Sequence, residues 1–164
     1  MKRIILFISI AVVFATTSCE PTYEKEYSWA YPLAGDWVLN TYAPDKTGKD
    51  SITSDESFEI KIYNSSFGKD SIWIDDYATT SSNGHFWSMK FKVKADMSTK
   101  TFANTGIVVN AVNAYKIGIK LNNGKVVGND SIRFEVQFQD DTTPYGKTYI
   151  LAGRRINSYD DYMH

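Results

Sequence analysis

Cysteine and histidine are scarce in this sequence: 164 residues include one Cys and two His. These numbers exclude a disulfide framework and a zinc site built from several Cys or His residues. An excess of positive charge is also lacking, since 18 Lys and Arg face 19 Asp and Glu for a net charge of -1. A general nucleic-acid binder needs a basic surface excess. We therefore expect no metal, no cofactor and no nucleic-acid partner.

Aromatic residues, by contrast, are plentiful. They make up 15% of the chain, as 11 Tyr, 9 Phe and 4 Trp, and such a composition favours a β-rich core. The length suits one domain and is too short for two domains with cores of their own.

The first residues are typical of a secretory signal. Lys2 and Arg3 precede an apolar stretch from Ile4 to Ala15, and small residues then lead to Cys19. The stretch is shorter than a membrane span. The segment resembles a lipobox in which Thr16 replaces the usual Leu. We expect a thioether-linked lipid on Cys19, with a chance free thiol as the alternative reading.

This interpretation divides the chain into four parts. Residues 1–18 form a lipoprotein signal peptide, 19–33 a lipidated tether, 34–158 a β-barrel domain and 159–164 a polar C-terminal tail. The expected location is the cell envelope, as an outer-membrane lipoprotein facing the periplasm or the surface. Acyl chains would hold it to the membrane, because each buried CH₂ contributes about 0.8 kcal/mol.

From Gly35 to Ile156 the apolar residues alternate with a period of two, which is typical of strands. Trp87, Met89 and Phe91 share one face, while the lysines between and after them share the other. Eight strands are predicted, at about 35–42, 57–64, 70–76, 85–95, 101–110, 114–121, 130–139 and 147–156. Residues 122–124 (Asn-Asn-Gly) predict a tight turn after the sixth strand. Strands of this kind pair antiparallel and form a sandwich or a barrel.

The buried faces of three predicted strands carry an apolar stripe. It consists of Trp87, Met89, Phe91, Phe134, Val136, Phe138, Tyr149 and Leu151. These side chains line a ligand cavity if the barrel is hollow, and they are ordinary core if it is filled. The sequence leaves both readings open.

A short motif, Gly-Lys-Asp-Ser-Ile, begins at Gly48 and again at Gly68, and Gly128 begins a near repeat. Turn chemistry explains it, because Gly supplies a positive φ and Asp bonds nearby backbone. Asp-Ser-Ile also resembles a short O-glycosylation motif of secreted bacterial proteins. The candidate acceptors for a glycan are Ser51, Ser71 and Ser131.

Gly35-Asp36-Trp37 opens the first strand, and Arg154 and Arg155 lie near the end of the last. This arrangement resembles the lipocalin-like calycin barrels, in which an arginine stacks on the tryptophan and helps seal one end. The resemblance implies an all-β fold, an eight-stranded antiparallel lipocalin-like (calycin) β-barrel. Because Arg154 and Arg155 alternate, the sequence does not choose between them.

Four stretches, 29–37, 70–76, 86–87 and 123–126, are similar to the bacterial lipoproteins called lipid-binding putative hydrolases. That resemblance implies a calycin-type barrel that binds lipid, and it supplies no catalytic motif to transfer.

The residues themselves show little catalytic chemistry. No Gly-x-Ser-x-Gly elbow occurs. His85 is a candidate base, although a surface His explains it as well, and we assign no catalytic residue. The predicted function is an envelope-anchored lipoprotein that binds a lipid or other small apolar ligand in its barrel. The alternatives are a non-enzymatic surface-interaction protein and a weak hydrolase.

Overall fold

The computed structural model describes residues 28–44, 48–53, 56–76 and 86–156. Cys19, His85 and His164 lie outside these residues, as does most of the predicted tether. The strands are β1 (Gly35–Pro44), β2 (Asp50–Ile52), β3 (Phe58–Asn64), β4 (Ser71–Asp75), β5 (Lys90–Asp96), β6 (Thr101–Ala103), β7 (Val108–Val109), β8 (Gly118–Val127), β9 (Ser131–Phe138) and β10 (Tyr149–Arg155). Within the described ranges, no helix is long and apolar enough to cross a membrane.

The strands close into a barrel because β1 pairs with both β3 and β10. Eight strands make the wall in the order β10, β9, β8, β6, β5, β4, β3 and β1, and every pairing is antiparallel. The short strands β2 and β7 pair with β1 and β8 respectively, outside this cycle. The predicted eight-stranded antiparallel β-barrel is confirmed.

The predicted alternation along the strands is confirmed. In β5, Phe91 and Val93 are buried while Lys92 and Lys94 are exposed. In β9 the residues at even positions from Ile132 to Phe138 are buried. The inward side chains of the wall strands form one core cluster, since successive side chains on a strand point to opposite faces.

The tight turn predicted at residues 122–124 is wrong, because β8 continues through it to Val127. Asn122 lies opposite Glu135 and Lys125 opposite Arg133, so β8 carries one extra residue there. This is a β-bulge, with Asn123 at a φ of 53°. Asn tolerates a positive φ in a bulge as well as in a turn, and the local sequence does not separate the two.

Two other predicted strands differ from the structure. The stretch 101–110 is split into β6 and β7, because the Asn104 side chain replaces ladder hydrogen bonds to β8. Its Nδ2 donates to the Ile119 carbonyl at 3.3 Å, and its Oδ1 accepts from the Leu121 amide at 2.5 Å. The strand predicted at 85–95 begins at Lys90, after a turn in which Ser88 has a φ of 46°.

The repeated motif begins at a glycine with positive φ in each of its three copies. The φ angles are 78° at Gly48, 74° at Gly68 and 64° at Gly128. Each of these glycines lies two or three residues before a strand, β2, β4 and β9 respectively. The turn interpretation is therefore confirmed, because L residues rarely adopt this conformation.

The three serines of the motif differ in exposure. Ser51 and Ser131 are exposed, whereas Ser71 is 7% exposed and its hydroxyl donates to Asp70 Oδ1 at 2.8 Å. Glycosylation of these serines stays a prediction. Two of the three hydroxyls are accessible to a modifying enzyme in the folded protein.

One end of the barrel is built around Trp37, and we call it the Trp37 end. The Trp37 side chain is fully buried, and its Nε1 donates to the Leu33 carbonyl at 3.2 Å. The Arg155 guanidinium lies 4.4 Å from the centre of the Trp37 ring. Arg155, and not Arg154, is therefore the arginine that covers the tryptophan.

The Arg155 guanidinium also ties together two turns, the one before β1 and the one between β8 and β9. It donates to the carbonyls of Pro32 at 3.1 Å and Asn129 at 2.9 Å, and to that of Ala34. Residues 28–33, which the sequence assigns to the tether, form a turn here, and Ala30 and Leu33 are fully buried in it. This turn closes the Trp37 end.

Gly35 makes the contact with Arg155 possible. Its φ of +142° is rarely adopted by L residues, and a Cβ at this position would lie 2.8 Å from Arg155 Nη1. The glycine of the Gly-x-Trp pattern is thus required by both backbone conformation and space.

Candidate functional site

The structure brings the predicted apolar stripe together on the inside of the barrel. The seven stripe residues that belong to the buried core cluster are Met89, Phe91, Phe134, Val136, Phe138, Tyr149 and Leu151. Trp87 is partly buried and packs against that cluster. Phe91, Phe134 and Val136 have no surface accessible to water, so the described part of the interior around them is filled.

The stripe ends in a group of stacked rings at the end of the barrel opposite Trp37, which we call the aromatic end. It comprises Phe58, Phe86, Trp87, Phe138 and Tyr149. The rings of Trp87 and Phe138 are stacked with centroids 4.4 Å apart and an interplanar angle of 4°. Phe86 stacks on Phe58 at 5.1 Å and meets Tyr149 edge-on at 5.3 Å. Aromatic faces of this kind offer a large apolar contact area.

The strand register explains why these rings meet. Phe58 begins β3, Phe138 ends β9 and Tyr149 begins β10, so antiparallel pairing places all three at one end. Phe86 and Trp87 lie in the turn before β5, which reaches the same end. The aromatic end is therefore a product of topology and not of one local sequence.

Two neighbouring carboxylates border the aromatic rings. Asp140 Oδ1 accepts from Trp87 Nε1 at 3.0 Å, and Asp140 Oδ2 accepts from the Tyr115 hydroxyl. Asp141 Oδ2 accepts from the Tyr149 hydroxyl at 3.0 Å. Burial and the adjacent carboxylate raise the pKa of both Tyr115 and Tyr149 to about 12. These tyrosines therefore stay neutral donors at physiological pH.

A cleft of about 460 Å³ opens beside this group. It is lined by Phe86, Trp87, Ser88, Val112, Tyr115 and Asp140. Its volume is within the range of about 300–1,000 Å³ that small-molecule sites occupy. The lining combines aromatic faces with one carboxylate, so it can hold an apolar group against the rings and a polar group near Asp140.

A larger groove of about 740 Å³ lies elsewhere, on the outer wall beside β6. Its charged lining residues are Lys94, Lys125 and Arg133. Arg133 already pairs with Asp50 and Glu135, and Lys94 pairs with Asp70. Size favours this groove, but it lies on the outer wall among three charged side chains, whereas the smaller cleft adjoins the stacked rings at the mouth of the barrel. We therefore take the cleft at the aromatic end as the candidate site.

Comparison with known proteins adds one decisive finding. A family model described as lipid-binding putative hydrolase matches residues 22–159. The chain belongs to this family. A search of curated proteins found no match. The resemblance seen in the sequence is confirmed, and a lipid-binding family is consistent with a β-barrel that carries an aromatic cleft.

The family description also contains the word hydrolase. The described residues of this chain show no catalytic constellation. His85, His164 and Cys19 all lie outside those residues. Among the described residues, no group of three or more His, Cys, Asp or Glu side chains could hold a metal ion. Asp140 has both oxygens occupied by Trp87 and Tyr115. We assign no catalytic role to any residue.

Reasoning from the sequence missed part of the site. Tyr115 and Asp140 line the cleft, but Asp140 belongs to one of several adjacent acidic pairs in the sequence, and Tyr115 has no pattern around it. Trp87 and Asp140 are 53 residues apart in the chain. Phe86 was detectable as the neighbour of Trp87, in a segment that resembles the family.

Proposed function

We propose that this lipid-binding family member holds a lipid or another small apolar ligand at its aromatic end, while an acyl anchor on Cys19 attaches it to the cell envelope. The observation that carries the binding proposal is the position of Trp87. Its ring lies flat on Phe138 and also borders the open cleft of about 460 Å³.

The ligand would lie at the mouth of the barrel and not deep inside it, because the described interior is filled. An acyl chain laid across Phe86 and Trp87 removes apolar surface from water on both sides. Each Å² of that surface contributes about 25 cal/mol.

Quenching of tryptophan fluorescence tests this placement. The purified protein would be titrated with a long-chain fatty acid that carries bromine atoms on its chain, because bromine quenches an indole only in close contact. We expect quenching in the wild type and its loss in Trp87→Phe. Trp73 lies on the outer wall beneath the Lys92 ammonium, 5.6 Å from its ring centre, so Trp73→Phe is the matched control and keeps the quenching. Unchanged quenching in Trp87→Phe would overturn the proposal.

The anchor part of the proposal is supported by sequence: the single Cys follows an apolar leader and small residues. In a lipoprotein of the outer membrane, facing the periplasm or the surface, Cys19→Ala is expected to move the protein into the soluble fraction. A Cys19→Ala protein that still sediments with membranes would contradict the anchor.

A further inference from the structure

Six large apolar side chains are strongly exposed in the described part of the barrel, and three of them share one rim. Phe67 is 82% exposed, Val127 54% and Tyr31 51%, and all three lie at the Trp37 end. The other described examples, Ile52, Ile107 and Val109, lie on β2 and around β7. Ile52 and Val109 lie toward the aromatic end, opposite Tyr42 near the end of β1 and Gly118 at the start of β8.

The three residues occupy separate turns on one rim. Phe67 lies in the turn between β3 and β4, Val127 ends β8, and Tyr31 lies in the turn before β1. Arg155 holds two of these turns side by side, since it donates to the carbonyls of Pro32 and Asn129. The third belongs to the same end, because Ile62 near the end of β3 lies opposite Gly35 at the start of β1.

The chain also enters the barrel at this rim. Nine residue steps separate Cys19 from Ser28, the first described residue. Covalent geometry limits that stretch to about 32 Å, roughly the length of one ten-residue strand. A lipid on Cys19 therefore keeps the Trp37 end within a short distance of the bilayer that holds the lipid.

We propose that the rim formed by Tyr31, Phe67 and Val127 rests on the bilayer that carries the Cys19 anchor; this inference depends on the anchor proposed above. Single exposed apolar residues are common on protein surfaces, but these share one rim with the entry point of the anchored segment. Tyr side chains, such as that of Tyr31, are favoured at membrane interfaces. In this orientation the cleft at the aromatic end faces away from the membrane, toward the aqueous compartment.

A labelled-cysteine experiment tests the orientation in the full-length acylated protein. The chain has one Cys, which the anchor occupies, so an introduced Cys provides the reactive thiol. Phe67→Cys and the control Val109→Cys, at a site 64% exposed on the outer wall, would carry an environment-sensitive fluorophore. Both would be reconstituted into vesicles of phosphatidylethanolamine and phosphatidylglycerol that include chain-brominated phospholipid.

We expect the label at position 67 to be quenched and shifted to shorter wavelength, and the label at position 109 to behave as in water. Equal, water-like emission from both labels in protein that sediments with the vesicles would overturn the orientation and leave the anchor intact. Labelling of the unsubstituted protein by the thiol reagent would show that Cys19 is free. That result would overturn the anchor and this inference together.

Discussion

The two ends of the barrel use tryptophan in opposite ways. At the Trp37 end the indole is fully buried, its N–H donates to the Leu33 carbonyl, and Arg155 covers its face. At the aromatic end Trp87 is half-buried, its N–H donates to a carboxylate, and its ring borders an open cleft. At one end the chain itself covers the indole, and at the other the indole stays partly exposed beside a cleft.

The two ends are expected to contribute to different properties, the Trp37 end to stability and the aromatic end to binding. Arg155 satisfies three backbone carbonyls on two separate turns, so its loss affects the fold. Asp140 and Asp141 bond side chains at a rim, where changes affect the cleft first. Variants of the Trp37 end are therefore expected to change the free energy of unfolding, and variants of the aromatic end to change ligand affinity.

The largest effect is expected for Arg155→Ala. It removes the cation–π contact with Trp37 and leaves carbonyls of the sealed end without their donor. We expect a loss of about 3 kcal/mol in the free energy of unfolding, measured by urea denaturation. The matched control is Arg154→Ala, since Arg154 is exposed, and it should cost about 0.5 kcal/mol or less. Equal costs for the two variants would show that the seal does not matter.

The second-largest effect on stability is expected for Gly35→Ala. A Cβ there meets Arg155 Nη1 at 2.8 Å, and the φ of +142° is strained for alanine. The expected loss of unfolding free energy is about 2 kcal/mol. Gly106→Ala serves as the control, because a Cβ at Gly106 meets nothing within 4 Å. If Gly35→Ala and Gly106→Ala lose the same unfolding free energy, Gly35 has no special role in closing the Trp37 end.

At the other end, Trp87→Ala is expected to weaken binding of a fatty acid about tenfold, as the apolar contact of the indole is lost. Arg155→Lys, which alters only the sealed end, should leave the affinity unchanged while it lowers stability. Isothermal titration calorimetry measures the affinities of both variants, and urea denaturation measures the stability of Arg155→Lys. A larger loss of affinity in Arg155→Lys than in Trp87→Ala would reverse the roles assigned to the two ends.

The smallest effect concerns pH and is confined to the aromatic end. Burial and carboxylates raise the pKa of Tyr115 and Tyr149 to about 12 from an ordinary value of 10.0. The folded state therefore favours the neutral phenols, and their contribution to stability is complete below pH 10 and lost as pH rises toward 12. Tyrosinate absorbance during a base titration checks this. Tyr115→Phe should remove one late-ionising group; an unchanged titration would contradict the assignment.

Much of the fold was predictable because strand alternation is a local property. Phe91 and Val93 face inward, and Lys92 and Lys94 face outward, as their spacing indicates. The local sequence did not predict the strands correctly where side chains replaced or altered the hydrogen-bond ladder between them. Asn104 interrupts the fifth predicted strand, and Asn123 forms a bulge instead of a turn.

The site was predictable only in part, because its contacts depend on register. Trp37 pairs with Arg155 and Val38 with Arg154, so a shift of one residue would have placed the other arginine on the indole. Asp140 likewise meets Trp87 and Tyr115 only after the barrel has closed. The apolar stripe was visible from its spacing, whereas the polar border of the cleft required the assembled structure.

Photo-crosslinking gives the most direct test of where the ligand binds. A fatty acid with a diazirine on its chain would be bound to the purified protein, activated by light, and the modified residues mapped by mass spectrometry. Our account predicts the strongest labelling at the lining of the cleft, on Phe86, Trp87, Val112 and Tyr115. Labelling concentrated at the Trp37 end, or in the groove beside β6, would contradict it.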